Sequence, residues 1–301
     1  MQAPIGPAAS PEFVATVSAA GALGTLAASW TPAAELREQV RWLRSHSSEP
    51  FCVNLVLAFD QRERLAVALG EHAPFVAFTW GIDAELISAA RQAGAFVLVQ
   101  VGSVDEAHQA AQARAHALIV QGVEAGGHSQ SARPLLELLA DVRRDLRLPI
   151  VAAGGIGDAD RRDAAREAGA DAVGCGTIFL AADEADIHPI YLDHLLKSTA
   201  PQTVRTLCFD NGWPNAPHRV IRNATITAWE TAGTSEPSRP GEGEQIASRS
   251  GRPVHRYDYA QPTSNTHGDV AQMAMYAGTS VDAVQRREPA SRIVERLAGP
   301  T

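Results

Sequence analysis

ALIVQGVEAGGHSQ, residues 117–130, carries the pattern that decides the fold of this chain. It opens on Leu118-Ile119-Val120, an apolar, β-branched run of the kind that fills a strand covered on both faces. It then breaks into Gln121-Gly122-Val123-Glu124-Ala125-Gly126-Gly127-His128. A buried strand that opens onto paired glycines and a histidine makes a poor core. It does let backbone approach a flat ligand and leaves an imidazole at the rim. Taken alone, Gly126-Gly127 is equally a tight βα turn with a surface histidine, so the flanking sequence has to decide.

Working outward, seven more short apolar runs, at 2–5, 22–27, 51–57, 75–80, 96–101, 149–153 and 172–174, join 117–121 to make eight candidate strands. Helical patterns separate them. Ser10-Pro11 and Thr31-Pro32 each place a hydroxyl before a helix-starting proline, and Ser103-Val104-Asp105-Glu106 has the form of a capping box. Asp83 and Asp158 are further caps. Gly21, Gly94 and Gly169 follow three helices in the same Ala-Gly-Ala context, where glycine takes the left-handed turn into the next strand. One βα unit repeated eight times implies a parallel sheet with helices outside, and in this span of chain a closed (β/α)8 TIM barrel. A doubly wound open sheet is the alternative, because pattern alone does not show closure. Only Met1 precedes the first strand, so either the barrel tolerates a short strand or the chain begins upstream.

The barrel is expected to occupy 1–200, ending in an eighth helix at 188–198. A C-terminal extension, 201–301, follows. Within it 230–267 is rich in Gly, Pro, Ser, Glu and Arg and reads as an irregular lid-like excursion. Residues 268–278 read as helical and 281–297 as a terminal helix, both returning to the barrel.

The 301 residues carry 26 Lys+Arg against 34 Asp+Glu, a net charge of −8, without a basic stripe, which argues against nucleic acid. No apolar window reaches the roughly 18 residues of a membrane span, and the N-terminus lacks a signal-peptide pattern. Cys52, Cys175 and Cys208 lie far apart and match no zinc spacing; reduced thiols in a cytoplasmic protein is the simplest reading. Small molecules are the expected partners, and self-association is open.

In such a barrel the active site lies at the C-terminal strand ends. Here these carry Pro4, Asn54, Trp80, Gln121 with His128, Gly154-Gly155, and Gly174-Cys175-Gly176-Thr177. The last two are glycine turns after strands 7 and 8, where backbone N–H groups converge on a phosphate and the Thr177 hydroxyl adds a donor. No G-x-G-x-x-G, H-E-x-x-H or G-x-S-x-G occurs, and no carboxylate cluster has metal spacing.

QGVEAGGHS at 121–129, PIVAAGGIGD at 149–158 and GADAVGCGTIFL at 169–180 together resemble the nitronate monooxygenase family, formerly the 2-nitropropane dioxygenases. MQAPI at 1–5 with PEFVATVSAAGALGTL at 11–26, and GDVAQMAMYAG at 268–278, extend the resemblance over nearly the whole chain. It implies a TIM barrel holding FMN non-covalently and oxidising alkyl nitronates such as propionate 3-nitronate with O2, giving a carbonyl compound and nitrite. It further implies that Asn54 and Gln121 bond the isoalloxazine, that Gly126 lies against it, and that Gly155, Gly174, Cys175, Gly176 and Thr177 hold the phosphate. His128 becomes a general base with an ordinary imidazole pKa, or an anchor for the substrate. The family often follows this histidine with a basic or apolar residue and then glycine; Ser129-Gln130 departs from that and bears on substrate preference. Two alternatives stand beside it. One is an FMN-dependent NAD(P)H enoyl-ACP reductase, with a similar AGGH turn; the other is a flavin-binding protein without turnover.

Overall fold

The computed structural model describes residues 1–233 and 239–299. Seven parallel strands form one sheet: β1 (Gly24–Ala27), β2 (Phe51–Val56), β3 (Phe75–Thr79), β4 (Phe96–Val101), β5 (Ala117–Gln121), β7 (Ile150–Ala153) and β8 (Ala172–Gly174). Their spatial order is their chain order, and a two-residue strand, β6 (Gly127–His128), stands outside the sheet. The eighth position falls to Met1–Ala3. Gln2 N–H donates to Leu23 O (2.9 Å), Ala3 N–H to Cys175 O (2.8 Å), and Cys175 N–H to Met1 O (3.1 Å). The curled sheet closes on a single bridge, Gln2 to Cys175, rather than on the full strand expected at 2–5. Gln2 is fully buried, and its side-chain oxygen accepts from Thr25 N–H (2.7 Å).

The helix signals held where a side chain could reach the first turn. Ser10, Asp83, Ser103 and Asp158 accept from Phe13, Glu85 with Leu86, Glu106 and Arg161 N–H groups. Glu106 does not return the bond to Ser103; it takes Gly102 N–H (2.6 Å). Thr31 caps nothing, because Pro32 itself is the first flanking residue of the helix Ala33–His46. Gly21, Gly94 and Gly169 all have positive φ, at 88°, 86° and 109°. Between strands and helices lies one large apolar core, with Phe13, Phe51, Phe78 and Leu118 among its buried members.

The extension is built differently. β9 (Thr203–Thr206) and β10 (His218–Ile221) pair antiparallel, and β10 also pairs with β6, setting His218 opposite His128. β11 (Gln245–Arg249), β12 (Arg252–His255) and β13 (Thr266–Gly268) form a second antiparallel sheet over Ile246, Val254, Val270 and Met273. The stretch 230–267, expected to be irregular, thus carries ordered strands; residues 234–238 lie outside the described residues. Residues 268–278 are not helical beyond the short turn Val270–Gln272. Their apolar side chains pack from an extended backbone: Ile221 N–H donates to Met275 O (2.8 Å) and Ala277 N–H to Arg219 O. The expected terminal helix shortens to Ala290–Ala298, whose Ile293, Val294 and Leu297 join the barrel core.

Candidate active site

One cavity of about 750 Å³ opens at the C-terminal ends of the strands, within the roughly 300–1,000 Å³ that holds drug-sized ligands. All nine residues singled out from sequence line it: Asn54, Gln121, Gly126, His128, Gly155, Gly174, Cys175, Gly176 and Thr177. So do Pro4 and Trp80.

Its floor is polar and oriented. Asn54 donates its amide N–H to Ala77 O (3.3 Å), which leaves the amide oxygen as its free acceptor. Gln100 donates to the Gln121 side-chain oxygen (3.2 Å), so Gln121 keeps its NH2 free.

One side is the pair of glycine turns. Gly154 and Gly155 have φ of 114° and 69°, and a Cβ on Gly155 would meet Glu124 and Thr279 at 2.9 Å. Gly176 differs: φ is −114°, and the nearest atom to a Cβ there would be 3.6 Å away. The fold itself makes no demand for glycine at 176. Cys175 contributes less than its place in the turn suggests, since its N–H is committed to Met1 and its thiol is buried, with a pKa pushed up to about 11 by desolvation. Thr177 Oγ1 accepts from Gly278 N–H (2.9 Å), which leaves its own proton free to donate.

The C-terminal segment crosses the central turn here. A Cβ on Gly126 would sit 2.4 Å from Gly278 N, and one on Gly278 would sit 2.6 Å from Glu124 O and Gly126 N. Two glycines let two backbones touch. Glu124 itself serves structure, its carboxylate accepting from Leu135 N–H (3.1 and 3.0 Å) at the start of the helix Leu135–Asp145.

The opposite side is aromatic. His128 stacks on Trp213 (4.1 Å between centroids, 19° between planes) and faces His218 at 5.1 Å. Its Nε2 is buried without a hydrogen-bond partner, and so is Trp80 Nε1. Burial first, then the neighbouring His218, push the His128 pKa down to about 3 rather than leaving it at an ordinary imidazole value, so the ring is neutral at neutral pH. His218 is held down as well, chiefly by burial. It bridges the two ends of a loop: its Nδ1 pairs with Ala216 O (2.9 Å) and its Nε2 with Phe209 N–H (3.3 Å). That loop carries Trp213.

Sequence reading passed over Trp30, Trp213, Tyr259 and Tyr276, which also line the cavity. One signal was present: Trp30 and Trp213 sit in Ser-Trp-Thr-Pro and Asn-Gly-Trp-Pro contexts, where a large ring in a turn has no strand or helix to bury it.

A closed parallel barrel with a cavity at its strand ends, glycine turns on one side and orphaned ring nitrogens on the other, is the framework of a (β/α)8 protein built to take a small ligand. Residues 1–63 and 57–299 match the nitronate monooxygenase family, and the chain belongs to that family of flavin oxidoreductases. The solved structure of FabK from Thermotoga maritima superposes with a TM-score of 0.84 at 27% identity, covering 99% of this chain and 90% of that one. Nitroalkane oxidase from Streptomyces ansochromogenes gives 0.79 at 32%, covering 99% and 93%. A Rhodococcus jostii (strain RHA1) (3aS,4S,5R,7aS)-5-hydroxy-7a-methyl-1-oxo-octahydro-1H-indene-4-carboxyl-CoA dehydrogenase is 31% identical over 77% of this chain. The chain spans 65% of that relative's length. Among the described residues no helix is long and apolar enough to cross a membrane.

Proposed function

We propose that this chain binds FMN in the strand-end cavity and oxidises alkyl nitronates with O2. In sum, two nitronates and one O2 give two carbonyl compounds and two nitrite ions. The observation that carries the reading is the division of the cavity into a glycine-walled end and an end with unpartnered ring nitrogens. The glycine end fits a phosphate monoester. Gly176 lacks a side chain that the fold would accommodate, as expected where a ligand takes that space, and Thr177 keeps its hydroxyl proton free to donate. A single such cradle, with no pyrophosphate fingerprint, favours FMN over FAD. On this reading Gly155, Gly174, Gly176 and Thr177 hold the phosphate, while Cys175 acts through packing. Asn54 and Gln121 present an acceptor and donors to the flat ring system, and Gly126 keeps the backbone low beside it.

Bound FMN would supply the electron acceptor. The chain supplies position and charge. A nitronate is already a carbanion, so a neutral His128 suits it as a hydrogen-bond donor that anchors the anion. As a base towards a neutral nitroalkane His128 is weakened by its lowered pKa. Three free, buried thiols suit a reducing compartment, which supports a cytoplasmic location.

A second reading, redox chemistry on a thioester-linked ligand with a nicotinamide, is favoured by the carboxyl-CoA dehydrogenase relative. One experiment separates the two. The purified protein is mixed anaerobically with ethyl nitronate and, separately, with NADPH, after mass analysis of the heat-released cofactor. Bleaching by the nitronate and release of FMN support the first reading. Bleaching by NADPH alone, or FAD as the released species, overturns it.

A further inference from the structure

Trp80 stands at the end of β3 with φ of 57°, a left-handed conformation uncommon for a bulky residue and one that recurs at ligand sites. Its ring packs against Trp213 (4.9 Å) and edge-on to His128 (6.2 Å). Its Nε1–H is buried and finds no acceptor, although it lines the cavity. An indole nitrogen only donates, so a buried one without a partner is costly unless a ligand brings an acceptor. His128 Nε2 is orphaned in the same cavity. Two ring nitrogens, each short of a partner, are therefore placed to share one oxyanionic group.

The wall beyond them is continuous aromatic surface. Trp30 packs against Trp213 and Tyr259, both at 5.9 Å, and Phe59 backs Trp213 at 5.3 Å. Trp30 is 44% exposed despite its size, an apolar face left open at the cavity mouth. The charges lining the cavity do not favour an anionic tail. Glu35 and Asp258 stand against a single guanidinium, Arg249, which already donates to Gln261 O (3.0 Å).

We infer that Trp80 is a substrate-binding residue whose indole N–H, beside His128, holds the anionic head, and that the site selects substrates with an uncharged apolar or aryl tail. This rests on the nitronate reading, and it sets that reading's dianionic example, propionate 3-nitronate with its carboxylate, among the poor substrates. The tail would lie against Trp30 and Trp213; the head would find Trp80 Nε1–H and, in the Nε2–H tautomer, His128, the two ring nitrogens that the chain leaves without partners.

The FMN-loaded protein is assayed with 2-phenylethyl nitronate, ethyl nitronate and propionate 3-nitronate. Binding of 3-phenylpropionamide and of succinate, neither of which reacts, is followed in parallel by quenching of tryptophan fluorescence. The expected result is a kcat/KM for the aryl nitronate at least about 10-fold above that for the carboxylated one, with the amide bound and succinate not. Trp30→Ala should pull the aryl-to-ethyl ratio down by about 10-fold, the worth of part of an apolar contact. Trp80→Phe keeps the ring and removes the N–H; it should lower kcat/KM for every nitronate by about 10- to 100-fold while the amide still binds. Equal or better use of propionate 3-nitronate, or a Trp80→Phe variant with unchanged kcat/KM, overturns the inference. Amide binding together with no oxidation of any nitronate instead overturns the nitronate reading and leaves the aromatic tail site standing.

Discussion

The barrel and the extension contribute to one cavity in different proportions. The barrel offers backbone, in the glycine turns at 154–155 and 174–177, with two amide side chains fixed by neighbouring strands and the rings of Trp30, Trp80 and His128. The extension offers side chains, Trp213, Tyr259 and Tyr276, from loops and short antiparallel strands with only small clusters beneath them. A backbone cradle needs a rigid frame, which a single large core under parallel strands provides. Ring surfaces tolerate a softer support and are free to vary with the substrate. The glycine-walled end of the cavity thus belongs to the frame, whereas its aromatic end is shared between frame and cover.

The largest effect expected is at the cradle. Gly176→Asp has room for its Cβ and an ordinary φ, so the barrel should melt as before. Its carboxylate would meet the phosphate, at a cost on the order of several kcal/mol in flavin affinity. Flavin content after gel filtration and a thermal scan read the two quantities; a fully loaded variant removes the phosphate assignment.

A smaller effect is expected where frame and cover touch. Gly126→Ala drives a methyl group against Gly278 N and should cost about 1–3 kcal/mol, as overpacking does. The loss should fall on the extension, with faster proteolysis in 201–299 and the helices of the barrel intact by far-UV circular dichroism. A variant as resistant as the parent would show that the crossing is not what docks the cover.

The smallest concerns pH. Folded His128 binds a proton only near 3, whereas an unfolded histidine does so near about 6.5. Between those values the unfolded state holds the extra proton, so stability falls as pH drops from about 6.5 towards 3. In His128→Asn that contribution is missing. Urea midpoints of the two proteins should differ by a constant amount above pH 7 and converge or cross below pH 6. A difference that ignores pH would mean the imidazole is not held neutral, and the view of the cover as a desolvating layer would go with it.

The same division explains what was legible in the sequence. Barrel elements announce themselves within about 20 residues: a capping side chain, an apolar face, a glycine at the helix end, then a β-branched strand. The glycine turns at the cavity followed, because turns after the seventh and eighth strands have a fixed place in this fold. The cover did not follow. That Gly127–His128 forms a strand with residues 218–219 depends on pairing across the chain, and no local pattern encodes it. Residues 268–278 read as helical because their apolar residues suit a helix; the partner strand beside Ile221 overrode that preference. The His128 pKa escaped for the same reason, being lowered by burial and then by His218; His218 and the Trp213 ring stacked on the imidazole come from far along the chain.

The touching of Gly126 and Gly278 also gives the molecule an order of assembly. The neighbouring strands from β1 to β8 meet across one helix each, but this crossing, like the barrel's own closure of Gln2 on Cys175, closes a loop of half the chain or more, and the entropy of that closure has to be met before the contact returns anything. By that measure the β1–β8 sheet is expected to condense first, with its closure at Met1–Ala3 and the docking of the cover following. Until it settles, His128 has no partner strand and Trp30 and Trp80 face water, so the nascent barrel is at once without a finished site and at its most adhesive.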